Sequence, residues 1–295
     1  MMITVFTPAY NRAHLLPRLY DSLCKQTFKD FEWVVVDDGS TDETRSLTLS
    51  LSNREGTWFP LRYYYQENGG KHRAINRGVK EAQGELFFIA DSDDWLSNDS
   101  LQIVSQYFED IKDDRTIAAV VGLDAYSDGH LIMGDAQFDT VDCSEIDFRV
   151  KFHMRGDMKE VFRTDVLKEF PFPEIEGEKF CPEDLVWHRI AKRYKFRYFN
   201  KVIYNVEYLP TGLSARLRKL RMDSPIASVI HYAEYNDFKI PTKQKIRNAI
   251  NYWRFWYCLS INKKKMKEIP QISCLWLWTR PLGWLMHIND LRITR

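Results

Sequence analysis

ELFFIADSDDW, residues 85–95, decides how the rest of the chain is read. After its Glu it is a short unbroken apolar run that ends in three carboxylates, Asp91, Asp93 and Asp94. A short apolar run stopped by polar turn residues is the pattern of a strand buried on both faces of a sheet. Carboxylates this close repel one another, so water or a cation must screen them. The letters suit a solvated acidic turn. They also suit a site for Mg2+ or Mn2+, which take oxygen ligands from one or two carboxylates and from substrate phosphates. At the end of such a buried strand Asp91 and Asp93 project to the same side, because side chains alternate along a strand.

Upstream, the same kind of run recurs. MITVFT (2–7), FEWVVVD (31–37) and LRYYYQ (61–66) read as strands, and TIAAVVG (116–122) as a fifth. Between them lie helical patterns. HLLPRLYDSL (14–23) repeats Leu15, Leu19 and Leu23 on one face; HRAINRGVKEAQG (72–84) stops near a glycine; another helix surrounds 99–111. Ser40 or Thr41 with Glu43 can cap the helix after DDGST. Alternating strands and helices predict an α/β fold with a mostly parallel sheet. From about 123 to 180 the pattern is irregular; EDLVWHRIAKRY (183–194) then reads as a helix and FRYFNKVIYNVEY (196–208) as strand.

In such sheets ligands bind beyond the carboxyl ends of the strands, and the chemistry-bearing residues stand there. TPAYNR (7–12) has Pro8 to stiffen the chain, Tyr10 as a flat ring for a base, and Arg12 to offset phosphate charge. DDGST (37–41) is a good turn, and either Asp37 or Asp38 could accept from a base N–H or a ribose hydroxyl. ENGGKHRAIN (67–76) puts two glycines, Lys71 and Arg73 at a helix start, which suits an anion. In CPEDLVWHRI (181–190), Glu183 and Asp184 are electrostatically favoured at a helix start, and one of them could be a general base. No G-x-G-x-x-G or G-x-x-x-x-G-K-[ST] is present, which removes the main support for dinucleotide-binding and P-loop readings.

Together these pieces resemble the family 2 glycosyltransferases. Four markers carry the resemblance in order from Ile3 to about Tyr208: TPAYNR, VVVDDGSTDET, NGGKHRAINRGVKEAQGELFFIADSDDW and the acid pair of PEDLVWHR. The resemblance implies a GT-A fold, Rossmann-like with flanking helices. It also implies a nucleotide-sugar donor, a UDP-sugar by family frequency, and Mn2+ or Mg2+. It places Thr7, Pro8 and Tyr10 in the uridine cradle, and makes Asp38 or Asp37 the base-binding acid. Asn68, Lys71 and Arg73 fall near base and ribose, and Asp91 and Asp93 form the D-x-D motif, with Ser92 between them and Asp93 the better direct metal contact. Asp94 keeps an open role. Asp184 matches the catalytic base, with Glu183 beside it, for a single displacement with inversion. His188 as a third metal ligand and Asp157 on the acceptor side are weaker expectations. The acceptor implied is a glycan or lipid-linked saccharide in cell-surface polysaccharide synthesis, not a nucleic acid.

Three rival readings compete. A sugar-phosphate nucleotidyltransferase would carry a Gly-rich, Arg-containing loop after the first strand. A haloacid-dehalogenase-type phosphatase would follow D-x-D with Gly or a β-branched residue. A decayed sugar-binding or scaffold protein would have lost acids that are all present here.

Of the 295 residues, 44% are hydrophobic and 28% charged, as in a globular domain rather than a disordered chain. The five scattered cysteines form no zinc-ligand pairs or disulfide framework and point to a reducing compartment. The N-terminus reads as a strand and not as a signal peptide. These features predict a cytoplasmic protein. We divide it into a glycosyltransferase domain, 1–210, and a basic, Trp-rich, mainly helical extension, 211–295. The net charge of +1 hides an asymmetry: from Thr211 onward 16 Lys and Arg stand against 5 Asp and Glu. NYWRFWYCL (251–259), NKKKMK (262–267) and SCLWLWTRPLGWLMHI (273–288) fit peripheral contact with the inner face of a cell membrane. They fit equally well helices packed on the catalytic domain or a partner. Neither apolar segment reaches the length of a spanning helix.

Overall fold

The structure, a computed structural model, describes residues 2–134, 138–154, 156–207, 213–260 and 269–293. It divides into two compact units. The first comprises Met1–Pro171 with Ile190–Glu207, and the second Phe172–Arg189 with Tyr208–Arg295.

The first unit is built on an eight-stranded sheet: β1 (Ile3–Ala9), β2 (Phe31–Asp38), β3 (Leu61–Gln66), β4 (Leu86–Ile89), β5 (Ile117–Tyr126), β6 (Thr140–Cys143), β7 (Met158–Arg163) and β8 (Lys195–Val206). Their order across the sheet is β3-β2-β1-β4-β7-β5-β8-β6. The four strands from β3 to β4 are mutually parallel, so the α/β expectation holds there. The connections between them carry α1 (Leu16–Cys24), α2 (Thr44–Ser52) and α3 (Lys71–Glu81), with α4 (Ser100–Glu109) after β4. Every residue of β2 is buried, as its β-branched run requires. Even Glu32 is buried, held by Thr4 Oγ1 at 2.6 Å, the Gln83 amide at 2.8 Å and the Arg62 guanidinium.

Three local expectations are corrected. Helix α1 starts at Leu16, with Pro17 in its first turn, so Leu15 falls outside and Leu16, Leu19, Tyr20 and Leu23 form the buried face. Neither Ser40 nor Thr41 caps α2; the Asp42 carboxylate takes the Thr44 amide at 3.0 Å instead. The stretch 123–180 is not irregular throughout. It holds β6, α5 (Glu145–Lys151), β7 and α6 (Thr164–Glu169), and β7 inserts antiparallel between β4 and β5.

The second unit is helical, with α8 (Leu213–Asp223), α9 (Pro225–Asn236), α10 (Thr242–Trp256), a 3-10 turn (Cys274–Thr279) and α11 (Arg280–Ile293); α7 (Glu183–Ala191) begins in it. The Glu178 carboxylate accepts the Ile226 and Ala227 amides at 2.8 and 2.9 Å, an anion at the start of α9. Arg189 and Glu234 form a two-bond pair at 2.9 and 2.7 Å. PTG (210–212) and NKKKMK (262–267) lie outside the described residues. Among the described residues no helix is long and apolar enough to cross a membrane.

Candidate functional site

The parallel strands β3, β2, β1 and β4 end along one edge of the sheet, and the loops that leave them are tied together. Asn11, at φ +54°, turns the β1 loop toward the β2 loop. Its amide donates to Ser40 Oγ at 2.8 Å, and its side-chain oxygen accepts the Thr41 amide at 2.8 Å. The Arg12 amide donates to Thr44 Oγ1 at 3.0 Å, and the Ala13 amide to Asp42 at 3.1 Å. Burial would raise the Asp42 carboxyl, but its hydrogen bonds from Thr44 and Ala13 outweigh it and hold it below the ordinary value. Gly39 has φ +83°, and a Cβ there would lie 2.7 Å from the Asn68 amide nitrogen. Only glycine lets the β2 and β3 loops approach this closely.

Asp37 and Asp38, interchangeable in the sequence, differ in the structure. Both are buried. Asp37 accepts two bonds, from the Ser40 amide at 2.7 Å and the Tyr63 hydroxyl at 2.7 Å. Asp38 accepts four. One oxygen takes Gln66 Nε2 at 2.7 Å and the Gly69 amide at 2.9 Å; the other takes the Gly70 amide at 2.7 Å and Asn68 Nδ2 at 3.2 Å. A carboxylate has about four lone-pair sites, so Asp38 is filled and Asp37 is not. The start of α3 does bind an anion, as its residues suggest, but the anion at Gly69 and Gly70 is Asp38 itself.

The stretch after β4 is a turn and not a continued strand: β4 ends at Ile89, and the Asp94 amide closes onto the Asp91 carbonyl at 3.1 Å. Strand alternation therefore does not set the directions of Asp91 and Asp93. Asp91 meets the Lys71 ammonium at 2.7 and 2.9 Å. Its amide donates to the Tyr204 hydroxyl at 2.6 Å. Burial works to raise the Asp91 carboxyl, but Lys71, with Lys159 and Arg12, outweighs it and holds it below the usual carboxylate range. Asp93 is half-buried, and its carbonyl accepts from Arg18, which stacks on Trp95 at 4.4 Å and pairs with Glu207. Asp94 is buried and accepts the Glu207 amide at 3.1 Å. Burial and the Asp91 charge push its carboxyl up to about 7. Behind it Asp124, also buried, is pushed up to about 7 by burial and by the charges of Asp157, Asp94 and Asp91, against the pull of Lys159.

The donors at this turn are carboxylate oxygens, the kind a hard dication takes, and two protein carboxylates suffice where phosphates complete the shell. Asp91 and Asp93 therefore fit Mg2+ or Mn2+ in kind. Among the described residues no group of three or more His, Cys, Asp or Glu side chains is arranged to hold a metal ion.

Of the other expected residues, Thr7 is fully buried, with its hydroxyl accepting Trp33 Nε1 at 2.9 Å, so its side chain serves the floor of the site. Pro8 and Arg12 are half-buried, and Tyr10 is 49% exposed and open to a stacking partner. Ser92 is buried inside the acidic turn, and Arg73 lies half-buried in the first turn of α3. Asp157 is exposed just before β7. Glu183 and Asp184 occupy the first turn of α7 in the second unit, Glu183 half-buried and Asp184 exposed. His188, in the same helix, is buried and stacks on Tyr235 at 4.2 Å, an aromatic packing position.

Three residues escaped the sequence reading: Tyr204, Lys159 and Asp124. Asp124 left a signal, a lone acid in the apolar run IAAVVGLDAY. Lys159, whose ammonium lies 3.8 Å from the Tyr204 ring centroid, left none, because β7 itself was not recognised.

Residues 4–155 match the sequence profile described as Glycosyl transferase family 2. The glycosyltransferase GlyA of Streptococcus pneumoniae is 31% identical over 227 residues, 74% of this chain and 31% of that protein. An uncharacterized glycosyltransferase of Rickettsia typhi is 37% identical over 100 residues, 34% of this chain and 28% of that protein. The chain thus spans less than a third of the length of these relatives. Among solved structures, S. aureus TarS in complex with UDP-GlcNAc superposes with a TM-score of 0.61 at 21% identity, over 99% of this chain and 80% of that one. The mannosyltransferase PcManGT of Pyrobaculum calidifontis, in complex with GDP-Man and Mn2+, gives 0.56 at 20% identity, over 99% and 88%. These likenesses show the fold, the GT-A arrangement of a central sheet flanked by helices, and with the profile match they establish that the chain belongs to glycosyltransferase family 2.

Proposed function

We propose that the chain transfers a sugar from a nucleotide-sugar donor, a UDP-sugar, to a hydroxyl of a glycan or lipid-linked saccharide. The transfer inverts the anomeric carbon, uses Mn2+ or Mg2+, and belongs to cell-surface polysaccharide synthesis. The observation that carries this reading is the acidic turn at the end of β4, opposed by Lys71 and framed by the tied loops after β1, β2 and β3. TarS complexed with UDP-GlcNAc and PcManGT complexed with GDP-Man and Mn2+ support a nucleotide-sugar donor and a metal on this fold.

Asp91 and Asp93 would hold the metal, with Asp93 the more direct contact. Bound there, such a cation stabilises the charge that gathers on the departing diphosphate. Lys71 and Arg12 add positive charge on the same side. Tyr10 offers its exposed ring to the base. Asp37, which keeps acceptor capacity, is the acid for the base or ribose, while Asp38 fixes the Asn68–Gly70 turn that lies beside it. Asp184, with Glu183 next to it, takes the proton of the attacking hydroxyl. No carboxylate need act as nucleophile in a single displacement.

A thermal-shift panel of nucleotide sugars, with and without Mn2+, identifies the donor. Asp93→Ala should remove the metal-dependent part of donor binding, and Asp184→Asn should keep donor binding and lose transfer. Full transfer by Asp184→Asn overturns the base assignment, and an unchanged Mn2+ response in Asp93→Ala overturns the metal assignment.

A further inference from the structure

Helix α11 is inside out. Its buried positions are Gly283, His287 and Asp290, one face of the helix turned to α10. A Cβ on Gly283 would lie 2.4 Å from Trp253 Cβ, so the two helices are in close contact there. Asp290 is buried and paired: Arg254 Nη2 donates to Oδ1 at 2.6 Å, and its Nε donates to the other oxygen. His287 Nδ1 lies 3.5 Å from Cys258 Sγ. The buried side chains of the helix are thus the polar His287 and Asp290, while its large apolar residues face outward.

Leu282, Trp284, Leu285, Met286, Leu291 and Ile293 are all exposed. The turn before the helix continues the surface with Leu275 at 67%, Leu277 at 50% and Trp278 at 56% exposure. An open hollow lined by Tyr257, Leu277, Arg280, Pro281 and Trp284 lies within it. Isolated exposed apolar residues are ordinary, but a contiguous surface of this kind marks something that covers it.

We infer that this face seats on an anionic lipid bilayer, lying in the headgroup region. Three observations select that occupant. The face mixes Leu and Met with two exposed tryptophans, the residues that settle at a membrane interface. Its charges are of one sign: Arg280 and Arg292 are exposed, and Asp290, the only acid in residues 269–293, is buried against arginine. From Thr211 onward the chain carries 16 Lys and Arg against 5 Asp and Glu, which draws this part of the protein to an anionic surface. The same excess opposes a second copy on this face, because a two-fold pairing would bring like charges together. Among the described residues no helix is long and apolar enough to cross a membrane. The inference stands on the second unit alone, independent of the sugar-transfer reading.

The test uses the full chain in flotation with vesicles of phosphatidylcholine alone and with about 30 mol % phosphatidylglycerol. The chain should float with the anionic vesicles at low salt and be released as salt rises. Trp278→Ser with Leu285→Ser should cut that binding at least about tenfold. Both sites are solvent-exposed, so the melting temperature should hold. Leu49→Ser, an exposed change on α2, should leave binding intact. Brominated acyl chains should quench part of the wild-type tryptophan fluorescence, a readout that needs no variant. Failure to float with either vesicle, equal binding to both, wild-type binding by the double variant, or absence of quenching overturns the proposal. A dimer that the double variant dissolves, in a chain that ignores vesicles, overturns it in favour of a second copy.

Discussion

Replacing Asp38 by Asn keeps the size of the side chain and removes its charge and half of its acceptor capacity. In the wild type each oxygen holds two donors, Gln66 and the Gly69 amide on one, Asn68 and the Gly70 amide on the other. The Asn oxygen can keep one pair; its amino group then meets the other pair donor to donor. A hydrogen bond to a charged group contributes about 1.5–3 kcal/mol, and a stranded donor adds a similar cost unless water reaches it. Asn68, Gly69 and Gly70 are only half-buried, so water restores part of the loss. The expected destabilisation is about 2–4 kcal/mol. That corresponds to a melting temperature lower by roughly 5–15 °C for a unit of this size. Urea unfolding reads the total, and amide hydrogen exchange reads the place. Exchange at Gly69 and Gly70 should accelerate about tenfold or more while the amides of β2 stay protected. If the variant unfolds within about 0.5 kcal/mol of wild type and the two glycine amides exchange at unchanged rates, Asp38 is not the clamp. The acid assignments at the end of β2 must then be reversed.

Asp124→Asn tests the buried acids. A carboxyl raised to about 7 in the folded state stabilises fully below its unfolded value near 4, and that contribution is lost as pH rises to about 7. The wild type should therefore lose about 1–3 kcal/mol relative to Asp124→Asn across that window. Parallel melting curves from pH 4.5 to 8 would show that the carboxyl titrates normally. Gly78→Ala tests the docking of α3 on β1. The substitution improves helix propensity by about 1 kcal/mol, but its Cβ would lie 2.2 Å from the Phe6 ring. Overpacking should win by about 1–3 kcal/mol, and a rise in stability would mean that Phe6 moves aside freely.

Strands β1, β2 and β4 were legible because they are buried on both faces and so read as plain apolar runs, while the edge strand β3, only half-buried, was read from its tyrosines. FEWVVVDD is the clearest case, and the loops after such strands announced themselves by their acids and glycines. β7 was hidden because MKEVFR mixes charges into six residues: Lys159 turns to the Tyr204 ring, while Arg163 is buried and hydrogen-bonds to the carbonyls of Ile117 and Ile111. No local pattern distinguishes such a strand from a loop. Asp37 and Asp38 could not be separated in sequence, since the difference lies in donors supplied by residues about 30 positions away. The direction of α11 was also beyond periodicity. A reader expects apolar residues inside, and Gly283, His287 and Asp290 reverse that rule by packing closely and pairing with arginine.

β7 runs against β4, with Leu86 opposite Arg163 and Phe88 opposite Val161. A parallel strand reaches the functional edge of a sheet with its last residues; β7 reaches it with its first. The segment that feeds it, α5 and the residues up to Asp157, therefore arrives at the rim from outside the strand–helix repeat. This divides the protein's inheritance into two parts. One part is written in the loops after β1, β2 and β3, tied to one another so that a change in one disturbs its neighbours. The other is the feeding segment, held by packing instead: Phe148 is fully buried and stacks on Tyr198 at 3.6 Å, so it answers to the fit of side chains on β8 rather than to the loops of the parallel half.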